Sequence, residues 1–123
     1  MLPGSFSKSQ LLSKAKLSSK NPVPDAFDLI QNFPNPFNPT TAIKYQLPED
    51  AYVKLIIYDI QGREVVSLQD GLNAAGYYEN QWNGKTKNNN TVSSEIYFYR
   101  LTAKSLVRSN VTFVSTKKML MIK

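Results

Sequence analysis

From Phe27 onward, short apolar runs alternate with polar positions at a period of two, and clusters of Pro, Gly and Asn separate them. A period of two marks strands that bury one face. Short strands punctuated by turn residues at this spacing predict an all-β fold, an antiparallel β-sandwich of about seven strands. The first strand is expected over 28–31. The second, 41–47, places Ile43, Tyr45 and Leu47 on one face and Lys44 and Gln46 on the other. In the third, 52–59, Val53, Leu55 and Ile57 share one face while Ile56 and Tyr58 make the other apolar too, which predicts a strand that is central or covered on both faces. A short strand over 64–68, a loop over 71–76 and a strand over 77–82 follow. Two last strands are expected over 96–103 and 111–122.

Local chemistry sharpens this outline. Pro34, Pro36 and Pro39 fall within six residues, and each removes a backbone donor and constrains its predecessor, so 32–39 cannot sit inside a ladder. Asp59, Gly62 and Arg63 predict a tight turn, with the carboxylate capping backbone amides and Gly62 free to take a positive φ. Asn80 falls on the apolar face of its strand, where its amide needs partners. Residues 83–94 read as a polar hairpin loop in which Asn88, Asn89 and Asn90 tolerate left-handed backbone. Burial of Met119, Leu120, Met121 and Ile122 in the last strand would contribute about 1.5–3 kcal/mol each. Removing that strand is therefore expected to unfold a domain whose net stability is about 5–15 kcal/mol.

The chain has 123 residues, enough for one core. Its first 25 residues are rich in Ser and Lys and close on Asn21-Pro22-Val23-Pro24-Asp25, the composition of a flexible tail or linker ahead of a domain over 26–123. Leu11, Leu12, Ala15 and Leu17 suggest one or two helical turns within it. The chain contains no Cys and no His, which removes disulfides, thiol nucleophiles and the commonest general base and metal ligand. An enzyme is not expected. Fifteen Lys and Arg against nine Asp and Glu give a net charge of +6, spread along the chain as a solvated tail and a charged edge strand rather than massed for nucleic acid. No apolar run approaches the roughly 20 residues of a membrane helix. The first residues lack the layout of an export signal, which is expected on a longer precursor.

Two further clusters have a bland and a functional reading. Trp82, Tyr97 and Tyr99 would suit a sugar-stacking platform, but strand parity favours the core. Asn83, Asn88, Asn89 and Asn90 offer oxygens with hardly any charge, which a hard cation does not favour. No metal and no cofactor are expected.

Five blocks carry a family resemblance. They are Asn32-Phe33-Pro34-Asn35-Pro36-Phe37-Asn38-Pro39-Thr40-Thr41, Tyr58-Asp59-Ile60-Gln61-Gly62-Arg63-Glu64-Val65, Trp82-Asn83-Gly84-Lys85, Ile96-Tyr97-Phe98-Tyr99-Arg100-Leu101 and the closing Lys117-Lys118-Met119-Leu120-Met121-Ile122-Lys123. In order and spacing they resemble the C-terminal sorting domains of the type IX secretion system, of the type A kind, which are related to the immunoglobulin-like domain of the flagellar hook-capping protein. The resemblance covers about residues 27 to 123. It departs from the family at Thr86 and Lys87, where relatives carry acidic residues, so a calcium site of that kind is not expected. It departs again at Asn89 and Glu95, where Gly is usual; Glu tolerates positive φ poorly, which predicts a rearranged or strained turn at Glu95.

The resemblance implies an immunoglobulin-like sandwich that is not catalytic and directs an attached protein across the outer membrane to the cell surface. It implies Pro34, Asn35, Pro36, Phe37, Asn38, Pro39, Asp59, Gly62, Arg63, Lys117, Lys118 and Lys123 as sorting or recognition residues. The proline segment also serves as a rigid edge that blocks sheet-to-sheet pairing. Implied partners are the outer-membrane secretion machinery, an N-terminal cargo protein and surface lipopolysaccharide, with no nucleic acid and no membrane span. A carbohydrate- or surface-binding module, or a structural hook-cap-like domain, are the alternatives.

Overall fold

The computed structural model describes residues 22–123. Most of the segment read as a tail, with its suggested helical turns, lies outside the described residues. Seven strands follow: β1 (Asp28–Leu29), β2 (Thr41–Leu47), β3 (Ala51–Tyr58), β4 (Glu64–Asn73), β5 (Gly76–Trp82), β6 (Ile96–Ser105) and β7 (Thr112–Leu120). They form two antiparallel sheets, ordered β1-β2-β5 and β4-β3-β6-β7, that stack as an immunoglobulin-like β-sandwich. Between the sheets lie Ile43, Tyr45 and Leu47 from β2, Val53, Leu55 and Ile57 from β3, and Tyr97, Tyr99 and Leu101 from β6, all essentially inaccessible to water. Each is the inward member of an alternating pair, and complete burial of such a side chain contributes about 1.5–3 kcal/mol.

The register fixes the two ends of the sandwich. Tyr58 pairs with Glu64 and Phe98, Trp82 with Thr41, and Leu120 with Ile96. Phe37 bridges Met121 in parallel, and the Trp82 ring lies 5.6 Å from Phe37 and 5.4 Å from Tyr97, so these strand ends meet at one pole. At the opposite pole, Ser105 donates to Glu49, and Arg108 forms a 2.8 Å ion pair with the same carboxylate. That contact ties the β6–β7 turn to the β2–β3 turn. The described chain enters at this second pole: Ala26 accepts from the Gln46 amide, and Phe27 stacks on Phe113 at 5.5 Å.

Several expectations change. The short strand runs on through residues 71–73 of the expected loop as one ten-residue strand, β4, because irregularities opposite Leu55–Ile56 and Ile57–Tyr58 let it follow β3 to Asn73 while blurring its alternation; only Ala74 and Ala75 separate it from β5. Residues 83–94 are not a hairpin loop; they carry the chain from the smaller sheet to the larger, held by a Lys85–Thr91 bridge. Ile56 and Tyr58 are half-buried only, since β3 is central within its sheet but the outer face of that sheet is uncovered. Only Met119 and Met121 of the last apolar run enter the core; Leu120 and Ile122 alternate outward, 37% and 47% exposed.

The remaining turn readings find direct answers. Asn80 is half-buried on an edge strand whose inward face the opposite sheet covers only in part. Asn89 takes φ 67° and Gly62 φ 84°, whereas Glu95 is not among the positive-φ residues and carries no strain of that kind.

Candidate functional site

The proline segment is built outward from Asn32, a buried polar residue. Its side-chain amide donates to Thr41 Oγ1 at 2.9 Å and to the Pro34 carbonyl at 3.2 Å, and Thr41 Oγ1 donates to that same carbonyl at 2.8 Å. The Asn32 N–H donates to the Tyr99 hydroxyl at 2.7 Å. Three prolines leave this stretch no ladder of its own, so side chains supply the bonds that a neighbouring strand would make.

The segment then grips the end of the chain. The Phe37 N–H donates to the Leu120 carbonyl, and the Ile122 N–H donates to the Phe37 carbonyl, both at 3.0 Å. Asn35 Oδ1 accepts from the Leu120 N–H at 3.0 Å, and Gln31 Nε2 donates to the Lys118 carbonyl at 2.9 Å. These bonds cover the outward edge at the end of β7. Met121 N–H donates to Glu95 on the other side, and Lys123 N–H to Ser94 Oγ.

Gly84 closes the arrangement from below. It takes φ +72°, and a Cβ there would lie 3.0 Å from Met121 Cε and 3.1 Å from the Pro39 carbonyl. Only glycine meets both demands.

Of the residues expected here, Pro34, Asn35, Pro36, Asn38 and Pro39 are exposed, and the three X-Pro bonds at 34, 36 and 39 are cis. Phe37 is different: the residue is only 2% exposed, with its ring in the core and its N–H and carbonyl bonded to the end of the chain, so it offers no surface to a partner. Lys118 and Lys123 are exposed and Lys117 is half-buried. An open groove of about 450 Å³ runs between the two segments, lined by Gln31, Asn35, Ile96, Lys117, Lys118 and Leu120.

Asp59, Gly62 and Arg63 form the β3–β4 turn at the same pole. Asp59 Oδ1 accepts from the N–H groups of Gln61 and Arg63, both at 2.9 Å, and Oδ2 accepts from Arg63 Nε at 2.8 Å. The Arg63 backbone N–H first, then its side chain and the Gln61 N–H, hold the Asp59 carboxyl below the usual carboxylate range. Both members are consumed by the turn itself.

Trp82, Tyr97 and Tyr99, weighed as a sugar platform, are at most 2% exposed and belong to the core. Burial pushes the Tyr97 hydroxyl up, and that hydroxyl donates to the Ser93 carbonyl at 2.8 Å. Sequence reasoning missed Gln31 as an edge cap and Asn32 and Tyr99 as the anchor of the proline segment. A polar residue just before a proline run was the sole signal for Asn32. Nothing local marks Tyr99.

An antiparallel sandwich whose far-apart chain segments are tied at one pole defines a class of immunoglobulin-like domains. The FlgD Ig-like domain model matches residues 35–106, more than half of the chain, and the chain belongs to that family. No curated protein matches it. Among solved structures, dimeric latent PorU from Porphyromonas gingivalis is similar at 25% identity with a TM-score of 0.62, over 83% of this chain and 10% of that one. FlgD from P. aeruginosa is similar at 22% identity and a TM-score of 0.52, over 66% of this chain and 61% of that one. PorZ, an essential surface component of the type-IX secretion system of Porphyromonas gingivalis, is similar at 18% identity and a TM-score of 0.45, over 80% of this chain and 12% of its own. The chain thus spans about a tenth of the PorU and PorZ structures and under two thirds of the FlgD structure.

Proposed function

We propose that this domain is a non-catalytic sorting module, directing an attached protein across the outer membrane to the cell surface through type IX secretion. The observation that carries the reading is convergence. The five sequence blocks that resemble the sorting family are scattered from residue 32 to residue 123, yet all reach one pole of the sandwich. Packing alone does not require the exposed members, Asn35, Pro36, Lys118 and Lys123, to gather there.

The path of the chain supports the same reading. Residues 26 and 27 contact the opposite pole, so a protein joined on the N-terminal side leaves the convergent pole open. The likeness to PorU at 25% identity adds to the resemblance. The partners on this reading are the outer-membrane secretion machinery at the convergent pole and the cargo at the other, with surface lipopolysaccharide as the attachment point. The protein acts outside the cell or on its surface. No helix among the described residues is long and apolar enough to cross a membrane.

The test is to fuse the full chain to an exported reporter in a host that carries the secretion machinery. Surface display of the reporter is the expected result. A reporter that stays periplasmic while circular dichroism shows the domain folded overturns the proposal. Substituting the exposed Lys118 and Lys123 by Gln separates signal from fold, because exposed changes typically alter stability by no more than about 0.5 kcal/mol.

A further inference from the structure

On the outer face of the larger sheet, away from the proline segment, Arg100 is held ready for a ligand that the core does not supply. Its guanidinium carbon lies 5.2 Å from the centre of the Tyr58 ring, and its Nε donates to Thr116 Oγ1 at 3.1 Å. Stacking and that one bond fix the plane of the group and leave both terminal nitrogens available. Among the described residues no carboxylate stands within ion-pair distance of Arg100. A fixed, unpaired guanidinium fork matches a carboxylate bidentately.

The surroundings define a binding cleft rather than a bare charge. Arg100, Tyr58, Phe98, Thr116 and the Asp59 turn line a hollow of about 240 Å³. The register explains the assembly: Tyr58 lies opposite Phe98, and Arg100 opposite Thr116, so aromatic and hydrogen-bonding side chains fall on adjacent rows of one face. The hollow is smaller than the roughly 300–1,000 Å³ of drug-sized pockets, which suits a single ring. The Phe98 ring meets the C–H face of a pyranose, Thr116 Oγ1 meets its hydroxyls, and Arg100 meets a carboxylate on the same ring. The protein's charge of +6 favours approach of a polyanion.

We infer that the Tyr58–Phe98–Arg100–Thr116 cleft binds one uronic-acid residue of an acidic polysaccharide. The cleft lies outside the groove beside the proline segment but shares the Asp59 turn with the convergent pole, and binding to it is read without secretion. Isothermal titration of the full chain with polygalacturonate, with neutral dextran and with dextran sulfate tests it. The expected result is binding of polygalacturonate and none of dextran, with Arg100→Ala and Arg100→Lys each weakening it at least about tenfold, the loss of one charge-assisted pair. Lys104→Ala removes the same charge from the same face, one row pair away, and leaves that affinity unchanged. Matching circular dichroism and melting curves show that the variants fold. No binding of polygalacturonate, equal binding of dextran sulfate that Arg100→Ala leaves intact, or equal loss in Lys104→Ala each overturns the inference.

Discussion

The hydroxyl of Tyr99 accepts the N–H of Asn32 at 2.7 Å and donates to the carbonyl of Ile30 at 2.8 Å, so one core side chain on β6 fastens the strand that leads into the proline segment. The first bond is buried and the second part-buried. Tyr99→Phe removes both while keeping the ring. It is expected to destabilise the domain by about 1–3 kcal/mol, the penalty of leaving a buried polar group unsatisfied. Urea unfolding checks it: the midpoint falls and the slope stays, because the surface exposed on unfolding is the same.

The same burial sets an alkaline limit. Burial pushes the Tyr99 hydroxyl up from 10.0 to about 12, and Tyr45 is raised as well, by burial first and by Tyr78 second. Above pH 10 the unfolded chain releases these protons while the folded chain keeps them, so the folded state binds more protons and stability falls as pH rises. The contribution is complete below pH 10 and disappears as pH climbs through about 12. Melting temperature measured across that range is expected to drop, with phenolate absorbance from these residues appearing together with unfolding.

Asn35 and Leu120 are joined by one side-chain-to-backbone bond across 85 positions of sequence. Asn35→Ala is expected to cost about 0.5–1.5 kcal/mol. Its more telling effect is local. Amide exchange at Leu120 and Ile122 accelerates, while the amides of β3, paired on both sides, keep their protection. Uniform acceleration throughout the chain would contradict a clasp confined to this pole.

Met121 and Ile122 are neighbours with opposite fates, one 1% and the other 47% exposed. Met121→Ala is expected to cost about 2–5 kcal/mol, the range for emptying a packed site, and Ile122→Ala less than about 1 kcal/mol. Thermal denaturation of the two variants measures the contrast. Equal losses would place the last residues differently from the bridge between Phe37 and Met121.

Much of this molecule was legible before any coordinates. Alternation at period two gave β2, β3, β5 and β6 with their inward faces, because a sheet side must be apolar wherever it packs, while β7 was legible as a strand but not by face. The Asp59 turn was equally plain, since a carboxylate, a glycine and their spacing are local chemistry. β4 was cut short because its irregular pairing with β3 breaks the very alternation by which strands are read. The 83–94 segment reads as a hairpin because a polar loop looks the same whether it returns to its own sheet or crosses to the other.

By itself the sequence determined most of the strands, the inward faces of β2, β3, β5 and β6, and that cysteine and histidine chemistry is absent. Tertiary structure alone decided which distant segments touch: that Asn35 and Phe37 hold Leu120 and Ile122, that the Phe37 ring is core, and that Arg100 lies over Tyr58 beside Thr116. The reason is physical. Propensity and periodicity act over a few residues, whereas these bonds form only after two sheets have stacked and brought strand ends together, and no local pattern encodes that meeting.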